Sequence, residues 1–166
     1  MSDLPTQAVF EILAATRLLS LATVGPDGTA HINTAFFAFD PRATLFVFSP
    51  PTTEHARNLT VNASAAATIF DSHQGPELRR GLQLFGEMRM LDGAGAIGAH
   101  ARFTTRFDDL RQSAPSYADV IATMTSRFFA LTPHRVKIFD ELLLNREEFV
   151  ELRTADLVPS GATRRS

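Results

Sequence analysis

Between Leu18 and Phe48 the chain carries three apolar, aromatic-rich runs joined by nothing longer than a tight turn. Leu18–Val24 is followed by Gly25-Pro26-Asp27-Gly28, and Thr29–Phe39 by Asp40-Pro41-Arg42-Ala43, after which a third run starts at Leu45. Proline presets φ for an early turn position and glycine accepts a positive φ, so such tetrapeptides reverse the chain at once. Successive parallel strands need a crossover of a dozen or more residues, usually a helix, and no room exists for one here. The sheet is therefore expected to open as an antiparallel meander, and the fold to be mainly β with flanking helices.

The rest of the chain fits that start. Val9, Ile12, Leu13 and Thr16 follow helical spacing, with Asp3 placed to cap and Pro5 suited to a first turn. Further helices are expected over Glu54–Val61, Ala94–Phe107 and Tyr117–Ser126, and strands over Ala65–Phe70, Arg80–Leu91, Phe128–Leu131, Val136–Asp140 and Glu148–Leu152. In Arg80–Leu91, Gln83, Glu87 and Arg89 share one face, and Gly81 or Gly86 would suit a bulge that bends a barrel strand. Residues 1–158 read as one domain and 159–166 (PSGATRRS) as a frayed tail. Gly93-Ala94-Gly95-Ala96-Ile97-Gly98 matches a dinucleotide fingerprint in form. Its preceding strand carries Glu87 and Arg89, which a parallel strand buried on both faces avoids, so the glycines are assigned to a strand-to-helix turn.

Composition removes several functions. A formal charge of −2 over 166 residues gives no field that would favour nucleic acid or an anionic membrane, and neither is expected as a partner. There is no cysteine, hence no thiol nucleophile or thiolate metal site, and the five histidines share no ligand spacing, so no metal is expected. A hydrolase G-x-S-x-G elbow is absent. With no secretory leader or membrane-length apolar run, a cytoplasmic protein is the expectation.

One stretch concentrates chemistry. Pro50 and Pro51 stop the strand that begins at Leu45, and Thr53 stands where it can cap a helix from Glu54. Ser49, Thr53, His55, Arg57 and Asn58 then bring hydroxyls, an imidazole, a guanidinium and an amide to a helix start whose first N–H groups lack partners. That combination suits an anion such as a phosphate; a solvated, capped surface helix would look the same in sequence.

Three ordered segments carry a family resemblance: Ala35-Phe36-Phe37-Ala38-Phe39-Asp40, then Thr53-Glu54-His55-Ala56, then Arg80-Gly81-Leu82-Gln83-Leu84-Phe85-Gly86-Glu87-Met88-Arg89. Together, over about Leu4 to Asp140, the chain resembles the pyridoxamine 5′-phosphate oxidase-like, FMN-binding split-barrel superfamily, and within it a small uncharacterised bacterial branch. The resemblance implies a six-stranded antiparallel split β-barrel, a homodimer, and FMN at the subunit interface. It implies that the phosphate is held by Thr53, His55, Arg57 and Asn58, next to Ser49. The flavin ring would lie along Asn33, Thr34, Ala35 and Phe36, with Arg80 and Gln83 reaching in from the partner subunit and one or the other near its N1–C2 edge. Many members carry lysine where this chain has His55, and a bound phosphate is expected to raise that histidine's pKa so that it substitutes for the lost charge. The segment LLLNREEFVEL departs from the family, as do the residues that would grip pyridoxamine 5′-phosphate. The implied activity is a flavin-dependent oxidoreductase acting on a small molecule, with no catalytic acid or base assigned; His31 is better read as a polar strand residue. The alternatives are a non-catalytic flavin-binding or stress-related module, or the same barrel holding deazaflavin or haem.

Overall fold

The structure, a computed structural model, describes residues 4–145 and 147–157. The Asp3 cap and the 159–166 tail lie outside the described residues. Seven strands are present among the described residues: β1 (Leu18–Val24), β2 (Ala30–Phe39), β3 (Leu45–Ser49), β4 (Ser64–Phe70), β5 (Arg80–Met90), β6 (Arg127–Asp140) and β7 (Val150–Arg153). Helices α1 (Leu4–Ala15), α2 (Glu54–Val61), α3 (Gly93–Arg106), α4 (Asp108–Ser113), α5 (Tyr117–Thr123) and α6 (Glu141–Leu144) flank them. Every strand pairing is antiparallel. The strand order β3-β2-β1-β4-β5-β6-β7, with a further β3–β6 pairing, closes six strands into a barrel and leaves β7 outside the ring.

Closure depends on β6. One of its edges follows β5 throughout, while the other pairs with β3 over 127–131 and with β7 over 135–138. The change of neighbour falls at Pro133-His134. There the register jumps from Phe85↔Arg135 to Gly86↔Pro133, so His134 is an extra residue on β6. The strands expected over Phe128–Leu131 and Val136–Asp140 are therefore one, and Pro133 between them lies at a bulge, a place where a strand tolerates proline. The bulge expected near Gly86 is thus carried by the strand opposite. A Cβ on Gly86 would stand 2.1 Å from the Thr132 carbonyl oxygen, so only glycine admits this approach. Two helix assignments also change: α5 ends at Thr123 rather than Ser126, and α4, whose six residues carry no strong apolar period, was not anticipated.

Period-2 alternation sends Leu21, Phe37, Leu45, Leu84, Leu131 and Ile138 into the barrel. Val9, Ile12 and Leu13 of α1 plug one end, against β4, β5, β6 and α6. Ala56 and Leu59 of α2 plug the other, against β1, β2 and β5. A second apolar layer lies outside the ring, where Ala99, Phe103 and Phe107 of the α3 segment cover Ala38, Phe46 and Phe128. The outward sides of β1, β4 and the first half of β2 have no such cover among the described residues.

Candidate functional site

At the α2 end, the backbone of Thr53 is extended as an N-cap requires, but its side chain does not cap. Its hydroxyl donates to the Pro50 carbonyl at 2.9 Å, closing the Pro50–Thr53 turn. Thr53 Oγ1 is then left only as an acceptor towards His55 Nε2, 3.0 Å away, so that ring nitrogen carries the proton. Ser49 Oγ stands 2.9 Å from the same nitrogen. His55 is only 6% exposed, and burial, reinforced by the nearby His31, pushes its pKa below the ordinary histidine value. In this structure His55 is therefore a neutral, hydrogen-bonded imidazole.

The network continues inward. Asn58 Nδ2 donates to Thr23 Oγ1 at 3.2 Å, Thr23 Oγ1 lies 3.5 Å from His31 Nδ1, and the His31 and His55 rings stack 6.3 Å apart. His31 Nε2 faces the Glu54 carboxylate at 3.6 Å. Ser49, His55 and Asn58 are thus drawn together with Thr23 and His31 in a polar plug, while Arg57 stays at the surface, its Nη1 donating to the Thr52 carbonyl. Of the residues expected at a phosphate, Arg57 and the Thr52-Thr53 turn are the ones open to an incoming anion.

The strand residues divide between two faces. Asn33 and Ala35 point inward and Thr34 and Phe36 outward, because neighbours on a strand alternate. Thr34 heads a cross-strand row, Thr34–Ser20–Thr68–Gln83–Lys137, that runs over the outer face of the barrel. Apolar groups flank it: Ile32 is 69% exposed, Phe36 54%, Phe70 48% and Leu18 44%. Beside the row lies a cleft of about 320 Å³ lined by Thr68, Phe70, Gln83, Phe139 and Phe149 among others. Ser20 and Thr68 were missed from the sequence, although each interrupts an apolar strand at an outward position.

Arg80 lines the same cleft as Gln83, but its guanidinium is committed elsewhere. It points to the other face, where its Nε and Nη2 bind Asp140 Oδ2 at 2.9 and 2.8 Å and Nη2 also meets Glu11 Oε2 at 3.1 Å. Asp140 is buried, and its other oxygen accepts from the Leu143 amide at 2.9 Å. Arg80 therefore fastens α1 and α6 to the barrel end. Along β5 it is seven residues from Glu87, which pairs with Ser64 just after α2, or roughly 20 Å from the phosphate end.

Among the described residues no helix is long and apolar enough to cross a membrane. A family model described as pyridoxamine 5′-phosphate oxidase matches residues 5–139. A UPF0306 protein of Enterobacter sp. (strain 638) is 34% identical over 91 residues, covering 54% of this chain and 64% of that protein. Among solved structures, a haem-binding protein from Mycobacterium smegmatis aligns with a TM-score of 0.76 at 15% identity, over 95% of this chain and 60% of that one. This chain thus spans less than two thirds of either protein. A Clostridium acetobutylicum protein related to general stress protein 26 of B. subtilis (pyridoxinephosphate oxidase family) aligns with a TM-score of 0.67 at 13% identity, over 94% and 99% of the two chains. With the antiparallel six-stranded barrel and its flanking helices already described, the family match decides the assignment: the chain belongs to the pyridoxamine 5′-phosphate oxidase family.

Proposed function

We propose that the protein binds FMN on the outer face of β1, β2, β4 and β5, as a homodimer whose second copy covers that face, and acts as a flavin-dependent oxidoreductase on a small molecule. The observation that carries this reading is the uncovered row Thr34–Ser20–Thr68–Gln83, set between exposed Ile32, Phe36 and Phe70. Hydroxyls and an amide between apolar walls suit a flat heteroaromatic ring with polar edges. At the α2 end, Arg57 and the Thr52-Thr53 turn suit the phosphate. Bound FMN supplies the redox chemistry. The protein's part is to orient the ring, to keep water from it, and to place the Gln83 amide and the neighbouring Lys137 ammonium where negative charge would develop.

Haem or deazaflavin remains the alternative occupant, and the Mycobacterium smegmatis neighbour gives haem its support. His31, His55 and His100 are engaged inside the fold by Glu54, by the Ser49 and Thr53 hydroxyls and by the Ala114 carbonyl respectively, and His73 pairs with Asp71, so among the described residues exposed His134 is the histidine left to an axially ligated iron. Titration of the purified protein with FMN, riboflavin and haemin, followed by absorbance, separates the readings. FMN should bind roughly tenfold or more tightly than riboflavin, and Arg57→Ala should remove most of that difference while Arg42→Ala leaves it. Equal affinity for FMN and riboflavin, or a Soret band with haemin and no flavin binding, overturns the proposal. Bleaching of the bound flavin by a reduced small molecule without oxygen distinguishes an enzyme from a non-catalytic binder.

A further inference from the structure

The flavin reading leaves unused an open cleft of about 650 Å³ between α1 and α3, lined by Ala14, Ala38, Phe39, Gly98, Arg102 and Arg106 among others. Its charge is unusual for this protein. Arg79, Arg80, Arg89, Arg111, Arg135 and Arg153 each meet a carboxylate. Arg102 has neither a hydrogen bond nor an ion pair among the described residues, and no acidic side chain lines the cleft. Arg106 spends Nη2 on the carbonyls of Leu13 and Thr16 at the end of α1, leaving Nε and Nη1 without partners among the described residues. Its guanidinium is held in place over the rings of Phe37 and Phe39, at 4.7 and 5.1 Å. A third arginine, Arg17, lies over Phe107 at 4.9 Å, within the field of Arg106 and likewise without an acid among the described residues.

Gathering these charges is unfavourable. Arg102 and Arg106 stand four residues apart on one helix face, where like charges repel. Burial and Arg17 together push the Arg106 pKa down. The dipole of α3 accounts for a cation in its last turn, which is Arg106, but not for Arg102 one turn earlier. A net charge of −2 makes an excess of basic residues here local rather than general.

We propose that this cleft is a second binding site, for an organic anion whose phosphate or carboxylate group is taken by Arg102 and the free N–H groups of Arg106 while a small apolar body rests on Ala14, Ala38 and Phe39. Planar guanidinium groups bind such oxyanions through paired, charge-assisted hydrogen bonds. The site does not depend on the flavin reading. The probe is phenyl phosphate, titrated calorimetrically into the full chain with FMN present at saturation, against inorganic phosphate and phenol. Phenyl phosphate should bind one per chain and more tightly than either fragment.

Arg102→Ala should weaken that binding roughly tenfold or more, and Arg102→Lys should weaken it less. Gly98→Leu should block it, since Gly98 lines the cleft and a Cβ there meets nothing within 4 Å, so the larger side chain has room to project from it. Three results overturn the proposal: no binding at millimolar phenyl phosphate, binding unchanged in both Arg102→Ala and Gly98→Leu, or binding abolished by Arg57→Ala instead. The last result would move the anion to the α2 end and leave the flavin proposal standing. Loss of FMN binding with the phenyl phosphate response retained would do the reverse.

Discussion

Replacing glycine by alanine is expected to have opposite signs at Gly86 and Gly98, and the barrel geometry sets both magnitudes. At Gly86 the new Cβ would stand 2.1 Å from the Thr132 oxygen and 2.7 Å from the Pro133 Cα, both backbone atoms. Relief needs the two strands to part by about 1 Å, since real Cβ contacts essentially never fall under 3.0 Å. β6 is not free to retreat, because β3 holds it up to Leu131 and β7 from Arg135. The cost should therefore reach the upper part of the overpacking range, about 3 kcal/mol. For a chain of this size that lowers the melting temperature by roughly 6–12 °C. At Gly98 the Cβ meets open space on a helix surface, so alanine should add about 0.5–1 kcal/mol by restricting the unfolded chain. Urea unfolding followed by circular dichroism reads both, as midpoint shifts at constant slope. A Gly86→Ala protein within about 0.5 kcal/mol of the parent would refute the claim that the bulge pins these strands. A destabilised Gly98→Ala protein would show that this face of α3 is covered.

Three further outcomes follow from the same geometry. The folded state depresses the His55 pKa, so it binds fewer protons than the unfolded chain, whose histidines titrate near 6.5. Stability should be complete above about pH 6.5 and fall as acid is added below it, and His55→Gln should flatten that fall in urea midpoints measured across pH; an unchanged profile would show that His55 is not held neutral. Asp140→Ala removes the acceptor shared by Arg80 and the Leu143 amide while Arg80 keeps Glu11, and should cost about 1–3 kcal/mol by the same denaturation assay. Light scattering at micromolar concentration should give twice the mass of one chain, and Phe36→Glu, which puts a charge on the exposed apolar face, should give a monomer; a monomeric parent protein counts against the proposed dimer.

Much of the ring was legible because turn chemistry is local. Gly25-Pro26-Asp27-Gly28 and Asp40-Pro41-Arg42-Ala43 each reverse the chain by their own backbone preferences, and β1, β2 and β3 follow. β6 was not legible as one strand, because Pro133 breaks a ladder in isolation and is tolerated only where His134 bulges against Gly86, a partner about fifty residues away in sequence. The site divides in the same way. The hydroxyl and histidine cluster could be found from spacing along one short segment, but the burial of His55 depends on His31 and Phe129 arriving from other strands. Arg80 reads as an available cation until Asp140 and Glu11 are brought to it by the register of β5 on β6 and the seat of α1. The division of Asn33 and Ala35 from Thr34 and Phe36 needed only period 2.

The outward residues of the ring also say which part of its surface is meant to be covered. A sheet face that ends in water normally carries charges at alternate positions. On β5, β6 and β7 it does: Glu87 and Arg89, Arg135 and Lys137, Glu151 and Arg153. β1 and β4 carry none, with Leu18, Ser20, Ala22 and Val24 on one and Ser64, Ala66, Thr68 and Phe70 on the other. The outward positions of β2 beside them, Ala30, Ile32, Thr34 and Phe36, are also uncharged. Three adjacent strands without a charge on their outer side form a surface that the α3 segment touches only at the Phe36 corner, through Phe107, and that is too apolar and too continuous to be indifferent to water. Polar atoms within it are hydroxyls and, at its margin, the Gln83 amide, groups that direct a ligand without adding charge to it. A second chain and a flat ring can share such a face, because each brings apolar area and neither requires an ion pair. The charged margins on β5 and β6 would then set the orientation of what binds rather than the strength of binding.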